Sequence, residues 1–323
     1  MVFRQFERQV EVLIKGLLRV ASPPGRNGRL STFIFHRVLQ EPDPLFPGEM
    51  HARRFDDVCN WIKSWFNVMP LDIAVVRLKE GRLPTRSACI TFDDGYADNH
   101  DVALPILQRH GLTATFFVAT GFLDGGRMWN DTIIESIRLS SETTIDLGNA
   151  DCFRIWTLAE KAVAINAQIQ KIKYLSVQER LAVTENLALV AKVRPPDNLM
   201  MTSIQVKSLR RMGMQIGAHT VSHPILARLS DDEARAEIKG SKETLEYLLG
   251  EPVDLFAYPN GKPGADYSPA SVAIAQAAGF SAAVSTAWGA ARTGGDDFQI
   301  PRFTPWDHSR LRFGLRVLAN IYR

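Results

Sequence analysis

Apolar residues at the start of the chain recur every three or four positions, which is the spacing of one face of an α-helix. This stripe consists of Phe3, Phe6, Val10, Leu13 and Leu17, and basic side chains flank it. The pattern predicts an amphipathic helix. We expect the helix to pack on its own protein, with contact to a membrane surface as the alternative.

Farther along the chain, short apolar runs alternate with stretches of helical periodicity. The runs have the length and composition of β-strands and are bounded by glycine, proline or polar residues. They cover residues 32–35, 88–92, 113–118, 214–217, 255–258 and 282–284. Strands that alternate with helices predict an α/β fold with a mainly parallel sheet.

The helical stretches carry their own start signals. Three capping boxes mark helix N-termini, namely Ser176 with Glu179, Thr202 with Gln205, and Ser230 with Glu233. An apolar-periodic stretch without strand signals, at about residues 127–200, predicts a helical insertion between two strands. Residues 22–28 are rich in proline and glycine, so we divide the chain into a helix with linker (1–30) and a larger α/β domain (31–323).

Composition excludes several classes of protein. Of the 323 residues, 46% are hydrophobic and 23% charged, so the chain can bury a full core without disulfides or structural metal. The 38 basic and 35 acidic residues give a net charge of +3, too balanced for obligatory nucleic-acid binding. The three cysteines form no CxxC pair, which argues against a disulfide framework and a thiolate zinc site.

Charge along the first helix bears on location. Six charged residues interrupt its apolar positions: Arg4, Glu7, Arg8, Glu11, Lys15 and Arg19. No uncharged run there has the length of a signal-peptide core or a membrane span, so we expect a cytoplasmic protein. Near the other end, Arg310, Arg312 and Arg316 rim a second amphipathic stretch. Peripheral contact with the inner face of a membrane is therefore an alternative to a purely cytoplasmic location.

Two adjacent carboxylates follow the predicted strand at 88–92. Asp93 and Asp94 would lie at the carboxyl edge of the parallel sheet, where α/β folds bind ligands. Neighbouring acids on extended backbone point in different directions, so one can ligate a metal while the other addresses a substrate. Taken alone, the pair is equally well explained as a solvated turn.

Two imidazoles follow the predicted strand at 214–217. The spacing of His219 and His223 can bring both rings to one side, where they share a divalent ion. Together with an aspartate at another strand edge they predict a metal site without thiolates. This donor set suits Zn²⁺, with Co²⁺, Ni²⁺ and Mn²⁺ as alternatives. Three protein ligands leave positions free for water and substrate, as in catalytic sites.

The motifs TFDDGY (91–96) and HTVSH (219–223) resemble the first two motifs of the polysaccharide deacetylases, carbohydrate esterase family four. The segment FAYPNG (256–261) falls in the right order for the third motif. The resemblance covers roughly residues 30–304 and implies a distorted (β/α) barrel of about seven strands. Within the family, the chain is most similar to the poly-N-acetylglucosamine deacetylase-like subgroup.

The resemblance also implies roles for the motif residues. Asp94, His219 and His223 would hold the metal, and Asp93 would be the general base. A divalent metal can lower the pKa of water from about 15.7 to about 7 and polarise the acetyl carbonyl. The backbone N–H of Asn260 would help to stabilise the oxyanion.

The same resemblance implies a substrate groove. We expect Tyr96, Pro259, Asn260 and Gly261 to bind the substrate. Asn260 replaces the aromatic residue that is usual in the family, which removes one stacking surface.

The motif that would supply the general acid differs from the commonest pattern in the family. The late Leu-x-His motif is not reproduced cleanly, whereas FIFHRV (33–38) resembles the early Tyr-His-x-Val pattern of the poly-N-acetylglucosamine subgroup. We therefore predict that His36 is the general acid, with His308 as the alternative. Ala257 occupies the position of the arginine that orients the base in many relatives. We expect Arg302 to approach Asp93 from another strand and place it among the catalytic residues.

The implied function is a metal-dependent hydrolase that removes acetyl groups from N-acetylated sugars. Its partner would be an acetylated glycan, either a polysaccharide or a lipid-linked precursor in exopolysaccharide synthesis. An O-acetyl esterase is the first alternative, since the same chemistry cleaves esters. A catalytically silent glycan-binding barrel is the second, although the chain retains both aspartates and both histidines.

Overall fold

A computed structural model describes residues 2–148 and 151–323, and the side chains of residues 1–10 lie outside its described part. Its strands are β1 (Arg29–Phe35), β2 (Asn67–Val68), β3 (Ser87–Phe92), β4 (Thr115–Val118), β5 (Thr144–Asp146), β6 (Cys152–Arg154), β7 (Gln215–Ala218), β8 (Leu255–Ala257), β9 (Ala282–Val284) and β10 (Ala291–Arg292). Its α-helices are α1 (Val2–Ala21), α2 (Ala52–Trp65), α3 (Leu71–Lys79), α4 (Leu104–His110), α5 (Trp129–Leu139), α6 (Leu158–Ile172), α7 (Val177–Val190), α8 (Ser203–Arg211), α9 (Asp231–Leu249), α10 (Pro269–Ala277) and α11 (Arg310–Ile321).

The main sheet is curled and mainly parallel. Its strands follow the order β10, β1, β3, β4, β7, β8, β9, and β2 pairs with β3 beside this path. Strands β1, β3, β4, β7, β8 and β9 run parallel, whereas β10 is antiparallel to β1. The carboxyl ends of the parallel strands therefore meet at one edge of the sheet.

The segment 300–303 joins the two sides of the curl. Ile300 donates to the carbonyl of Ala283 in β9 at 3.0 Å, and Phe303 donates to the carbonyl of Thr32 in β1 at 2.8 Å. This bridge gives the distorted (β/α) barrel that the family resemblance implies. It also carries Arg302 into the barrel between β9 and β1.

The barrel is filled by large apolar side chains. All six residues of β3 are buried, as expected for a parallel strand covered on both faces. Phe92 of β3 stacks on Phe116 of β4 with ring centroids 4.7 Å apart. The strand ends that carry polar side chains are therefore supported by a rigid, tightly packed core.

Helix α1 packs on its own protein, as expected. Ile14 and Leu18 are buried in the main core beside Trp65 and Phe313. Gly314 of α11 allows this approach, since a Cβ there would lie 2.6 Å from the Cδ1 of Ile14. No helix among the described residues is long and apolar enough to cross a membrane.

Each of the six predicted strands overlaps an observed strand, and the three predicted capping boxes are present. The insertion is wrong in one respect, because it contains the antiparallel hairpin β5–β6 between α5 and α6. Each strand of the hairpin has three residues, which is too short for its alternation to be told from chance in the sequence. Residues 149–150 of the predicted insertion lie outside the described residues.

Candidate active site

Three predicted metal ligands converge at the carboxyl edge of the sheet. Asp94 follows β3, His219 follows β7, and His223 lies in the loop after β7. The Nε2 atoms of both histidines lie 3.4 Å from the same oxygen, Oδ1 of Asp94. The three ligand atoms all lie within 4.8 Å of one another.

These residues fit a divalent cation. Oδ1 of Asp94 is buried and has no hydrogen-bond partner in the described part of the chain, which is costly unless a cation compensates it. The 3.4 Å separations are long for charge-assisted hydrogen bonds, which are about 2.7–2.9 Å. They are close to the roughly 3.3–3.4 Å between ligands of a tetrahedral ion with bonds of about 2.0–2.1 Å.

The orientation of His219 is set by a neighbouring strand. Its Nδ1 lies 2.7 Å from the carbonyl oxygen of Ala257, at the end of β8. A proton on Nδ1 is donated to that carbonyl, which leaves Nε2 with a free lone pair toward Asp94. A second hydrogen bond of this kind is a common way to orient a metal-binding imidazole.

The loop that carries His223 is held by Glu237 of α9. The carboxylate of Glu237 accepts hydrogen bonds from the backbone N–H groups of Val221 and Ser222, each at 2.8 Å. Thr220 and His223 have φ angles of 65° and 52°, in the left-handed region that non-glycine residues seldom adopt. Glu237 therefore stabilises a strained backbone that brings His223 next to Asp94.

Asp93 is paired with Arg302 as expected. The Nη1 and Nη2 atoms of Arg302 lie 2.7 Å from Oδ1 and Oδ2 of Asp93, and its Nε donates to the carbonyl of Ser285 at 2.8 Å. Both side chains are almost fully buried. A bidentate pair of this geometry fixes the carboxylate plane.

Burial and neighbouring charges act in opposite directions on the two aspartates. Burial by itself raises the pKa of Asp93, but the Arg302 guanidinium outweighs it and holds the pKa below its ordinary value. Burial also raises the pKa of Asp94, but His219 and His223 overcome it and lower the pKa of Asp94. Both carboxylates are therefore ionised at neutral pH.

The site opens into a cavity of about 250 Å³. One wall is formed at the sheet edge by His36, Asp93, Asp94, His219, His223 and Asn260. The opposite wall comes from the insertion and includes Trp129, Asn130, Lys173 and Arg180. The insertion therefore covers the carboxyl edge of the barrel and shapes the cavity.

The two candidate acid histidines occupy different places. His36 follows β1 directly and lines the cavity with Asp93 and Asp94. His308 is exposed and is not part of the cavity wall. The segment of His36 is tied to the turn after β3, since Asn99 donates to the carbonyl of His36 at 2.7 Å.

Asn260 lines the cavity, as predicted. Its backbone has a φ of 56°, in the left-handed region. Among the described residues, no protein acceptor receives the backbone N–H of Asn260. This N–H is therefore available to an acceptor in the cavity.

Three of the four residues predicted to bind substrate do not line the cavity. The chain turns at Gly95 (φ 90°), and the buried Tyr96 instead donates to Oδ1 of Asp131 at 3.3 Å. Pro259 and Gly261 are buried and shape the turn that presents Asn260. Direct contact of Tyr96, Pro259 and Gly261 with a substrate therefore stays a prediction.

Arg302 is also absent from the cavity wall. It was predicted among the catalytic residues, but it lies behind Asp93 and reaches the site only through that carboxylate. Arg302 is therefore a positioning residue, which orients the carboxylate of Asp93.

Sequence reasoning missed Lys173 and Arg180, which line the cavity from the end of α6 and from α7. The insertion has only helical periodicity, and no motif marks either residue. Their contribution depends on how the insertion packs over the sheet edge.

The chain matches the family described as Polysaccharide deacetylase over residues 80–149 and 183–283, more than half of its length. It is 19% identical over 265 residues to YxkH of Bacillus subtilis (strain 168), a curated protein named for polysaccharide deacetylation. That alignment covers 81% of this chain and 66% of the relative, so the chain spans slightly less than two thirds of the relative's length.

Solved structures of deacetylases share the fold. The Streptococcus pyogenes deacetylase PplD, in complex with acetate, is similar with a TM-score of 0.61 and 19% identity over 90% of this chain and 98% of that chain. A de-N-acetylase from Aggregatibacter actinomycetemcomitans is similar with a TM-score of 0.56 and 16% identity. The match covers 85% of this chain and 94% of that chain. With the family match spanning both motif regions of the site, this protein belongs to the polysaccharide deacetylase family.

Proposed function

We propose that this protein is a metal-dependent hydrolase that removes acetyl groups from N-acetylated sugars of a polysaccharide or a lipid-linked glycan precursor. The observation that carries the proposal is the convergence of Asp94, His219 and His223 in one cavity with the paired Asp93 and Arg302. Family membership and the similarity to a de-N-acetylase support the reaction class.

Asp94, His219 and His223 would hold the cation. A divalent cation bound there would supply Lewis acidity toward the acetyl carbonyl and make water more acidic, with a pKa near about 7. One carboxylate and two imidazoles without a thiolate favour Zn²⁺, with Co²⁺, Ni²⁺ and Mn²⁺ as alternatives.

Asp93 and His36 divide the proton transfers between them. Asp93 accepts a proton from the water whose oxygen attacks the acetyl carbon, and Arg302 keeps this carboxylate ionised and oriented. The backbone N–H of Asn260 is available to the oxyanion. His36 donates a proton to the leaving nitrogen as the C–N bond breaks, which yields acetate and a free amine.

Acetate release tests this function. Zn²⁺-loaded protein is incubated with an N-acetylated chitooligosaccharide and an O-acetylated xylooligosaccharide, and acetate is measured against Asp93→Asn and the matched control Asp232→Asn. Asp232 is exposed on α9 and lies outside the cavity. We expect release from the N-acetyl substrate, about 10²–10⁴-fold slower in Asp93→Asn and unchanged in the control.

The alternatives have their own outcomes. Faster release from the O-acetylated substrate would favour an esterase. No release from either substrate at full metal occupancy would favour a silent glycan-binding barrel.

We propose further that the protein works in the cytoplasm with peripheral contact to the inner face of the membrane, in exopolysaccharide synthesis. Helices α1 and α11 lie together, with Arg310 3.3 Å from Glu11. Val12, Val20, Leu315 and Tyr322 are exposed apolar side chains on these two helices and at the residue after α11. Basic neighbours on the same helices would favour anionic lipids.

Vesicle pelleting tests the membrane contact. We expect the protein to pellet with vesicles that contain phosphatidylglycerol and to remain in solution with vesicles of phosphatidylcholine alone. Val12→Ser/Val20→Ser should weaken the binding. Equal recovery in both supernatants would contradict the proposal.

A further inference from the structure

Arg180 is a buried cation without an ion-pair partner among the described residues. It belongs to α7 in the insertion, is 4% exposed and lines the cavity of the site. Among the described residues, no acceptor receives a hydrogen bond from its guanidinium, and its Nε is buried without a partner. The buried Arg302, by contrast, donates through all three of its nitrogens.

Its surroundings compensate the charge only in part. The guanidinium carbon lies 5.2 Å from the ring centroid of Trp129, in cation–π range. The carboxylate of Glu237 attracts the guanidinium electrostatically but lies beyond ion-pair distance. It accepts hydrogen bonds from Val221 and Ser222 instead. Burial therefore lowers the pKa of Arg180 below its usual value, despite Glu237. A buried arginine in this condition is costly unless an anion completes the site.

A second cation stands on the same wall. Lys173, at the end of α6, lines the cavity with Arg180, and within the described part of the chain no carboxylate lies within ion-pair distance of it. Both residues also line an adjoining groove of about 550 Å³ that continues to Arg228. The insertion thus contributes two basic side chains to both the cavity and the groove, which Arg228 and Glu233 line from outside the insertion.

The opposite wall has a different charge balance. Asp93 is neutralised by Arg302, and Asp94 lies among the imidazoles that would share a cation. With the acetamido group of the substrate at the proposed cation site, an anion elsewhere on the same substrate would be drawn to the basic insertion wall. A guanidinium suits this task because its planar fork matches phosphate and carboxylate oxygens.

We propose that Arg180 and Lys173 form an oxyanion-binding subsite, so that the substrate is an N-acetylated glycan with a phosphate or carboxylate close to the acetylated sugar. The acetamido group would face Asp94, His219 and His223 while the oxyanion lies on the insertion wall. This inference rests on the proposed deacetylase function and narrows its substrate class. The anion could be the phosphate that links a sugar to a carrier or the carboxylate of a neighbouring uronic acid.

Kinetics with matched substrates test the subsite. Acetate release by Zn²⁺-loaded protein is measured with a neutral chitotetraose, with a short-chain prenyl-diphosphate N-acetylglucosamine, and with an oligosaccharide that alternates N-acetylglucosamine and glucuronic acid. We expect kcat/KM to be at least tenfold higher for one of the anionic substrates than for the neutral one. The anionic substrate that is favoured identifies the source of the charge.

Variants separate binding from structure. We expect Arg180→Met to raise KM at least tenfold for the favoured anionic substrate and less than twofold for chitotetraose, with Arg180→Lys in between. Arg194→Met is the matched control, since Arg194 belongs to the same insertion, its side chain is 93% exposed, and it does not line the cavity. Equal losses on neutral and anionic substrates would assign Arg180 a structural role and overturn the proposal.

A binding measurement keeps the test independent of activity. Metal-free wild-type protein is heated with N-acetylglucosamine 1-phosphate or with N-acetylglucosamine, because a ligand that binds the folded state raises Tm. We expect a higher Tm with the phosphorylated sugar only, and no such shift in Arg180→Met. The same Tm with both sugars, together with equal kcat/KM for all substrates, would overturn the subsite. Absence of acetate from every substrate would instead refute the proposed function, and the Tm comparison would still decide on the subsite.

Discussion

Arg302 holds both carboxylate oxygens of Asp93 at 2.7 Å, although the two residues lie 209 positions apart in the sequence. The contact forms because the segment 300–303 bridges β9 and β1, and β1 lies beside β3, the strand before Asp93. The segment that closes the barrel therefore also orients the proposed base. A substitution at Arg302 should affect both.

Removing the guanidinium should cost stability and activity together. Arg302→Met leaves the buried Asp93 carboxylate unpaired, which typically costs about 3–5 kcal/mol of unfolding free energy. We expect kcat to fall, but no further than it does in Asp93→Asn, because Arg302 acts on the reaction through that carboxylate. Arg302→Lys restores charge without the bidentate geometry, so it should recover stability more than kcat. Urea unfolding and acetate release measure the two effects, and full activity in Arg302→Met would contradict the assignment.

Metal content should distinguish ligands from the proposed acid. His219→Ala removes one of three ligands, so we expect purified protein to lose most of its bound metal. His36→Ala should retain about one metal ion per chain and yet release acetate slowly, because His36 is outside the ligand cluster. Elemental analysis and acetate assays on the same samples measure both. Loss of metal in His36→Ala would contradict this division of roles.

Glu237 should control metal affinity without touching the metal. Glu237→Gln weakens the hydrogen bonds that hold the strained backbone around His223, and changes in such supporting residues typically cost about 10–100-fold in metal affinity. Glu243→Gln is the matched control, because Glu243 is an exposed residue of the same helix. Competition with a chelator measures the affinity. Equal affinities in the two variants would show that the loop holds its shape without Glu237.

Asp131 should make stability depend on pH. Burial raises the pKa of Asp131 from its ordinary value of 3.8 to about 7. Asp94 and Glu135 act in the same direction, and Arg37 and Tyr96 oppose them. Between these two pKa values the folded state holds a proton that the unfolded state has lost. The folded state therefore loses stability as pH rises from about 4 to 7, by up to about 4 kcal/mol.

Asp131→Asn removes this titration. We expect the unfolding free energy of the variant to rise relative to wild type as the pH increases from 4.5 to 8, with little further change above that. Asp232→Asn, at an exposed site, should leave the pH dependence unchanged. Parallel pH curves for wild type and Asp131→Asn would contradict the prediction. Urea unfolding at a series of pH values provides the measurement.

Sequence reasoning works for the centre of the site because that chemistry is local to strand ends. His219 directly follows β7, and Asp94 is the second residue after β3. The carboxyl ends of parallel strands meet at one edge of a sheet. The same logic places His36 after β1 in the cavity. It does not reach Lys173 and Arg180, which follow no strand of the sheet and lie in the helical insertion.

By itself, then, the sequence determined the parallel α/β order, the positions of most strands and the residues that meet at the sheet edge. Only the tertiary structure decided that Arg180 and Lys173 form the wall of the cavity opposite the sheet edge. The physical reason is the separation along the chain of the residues that come into contact. Alternation and helical periodicity report a residue's near neighbours, whereas the packing of the insertion over the barrel depends on contacts between distant segments, and no local pattern records where those contacts fall.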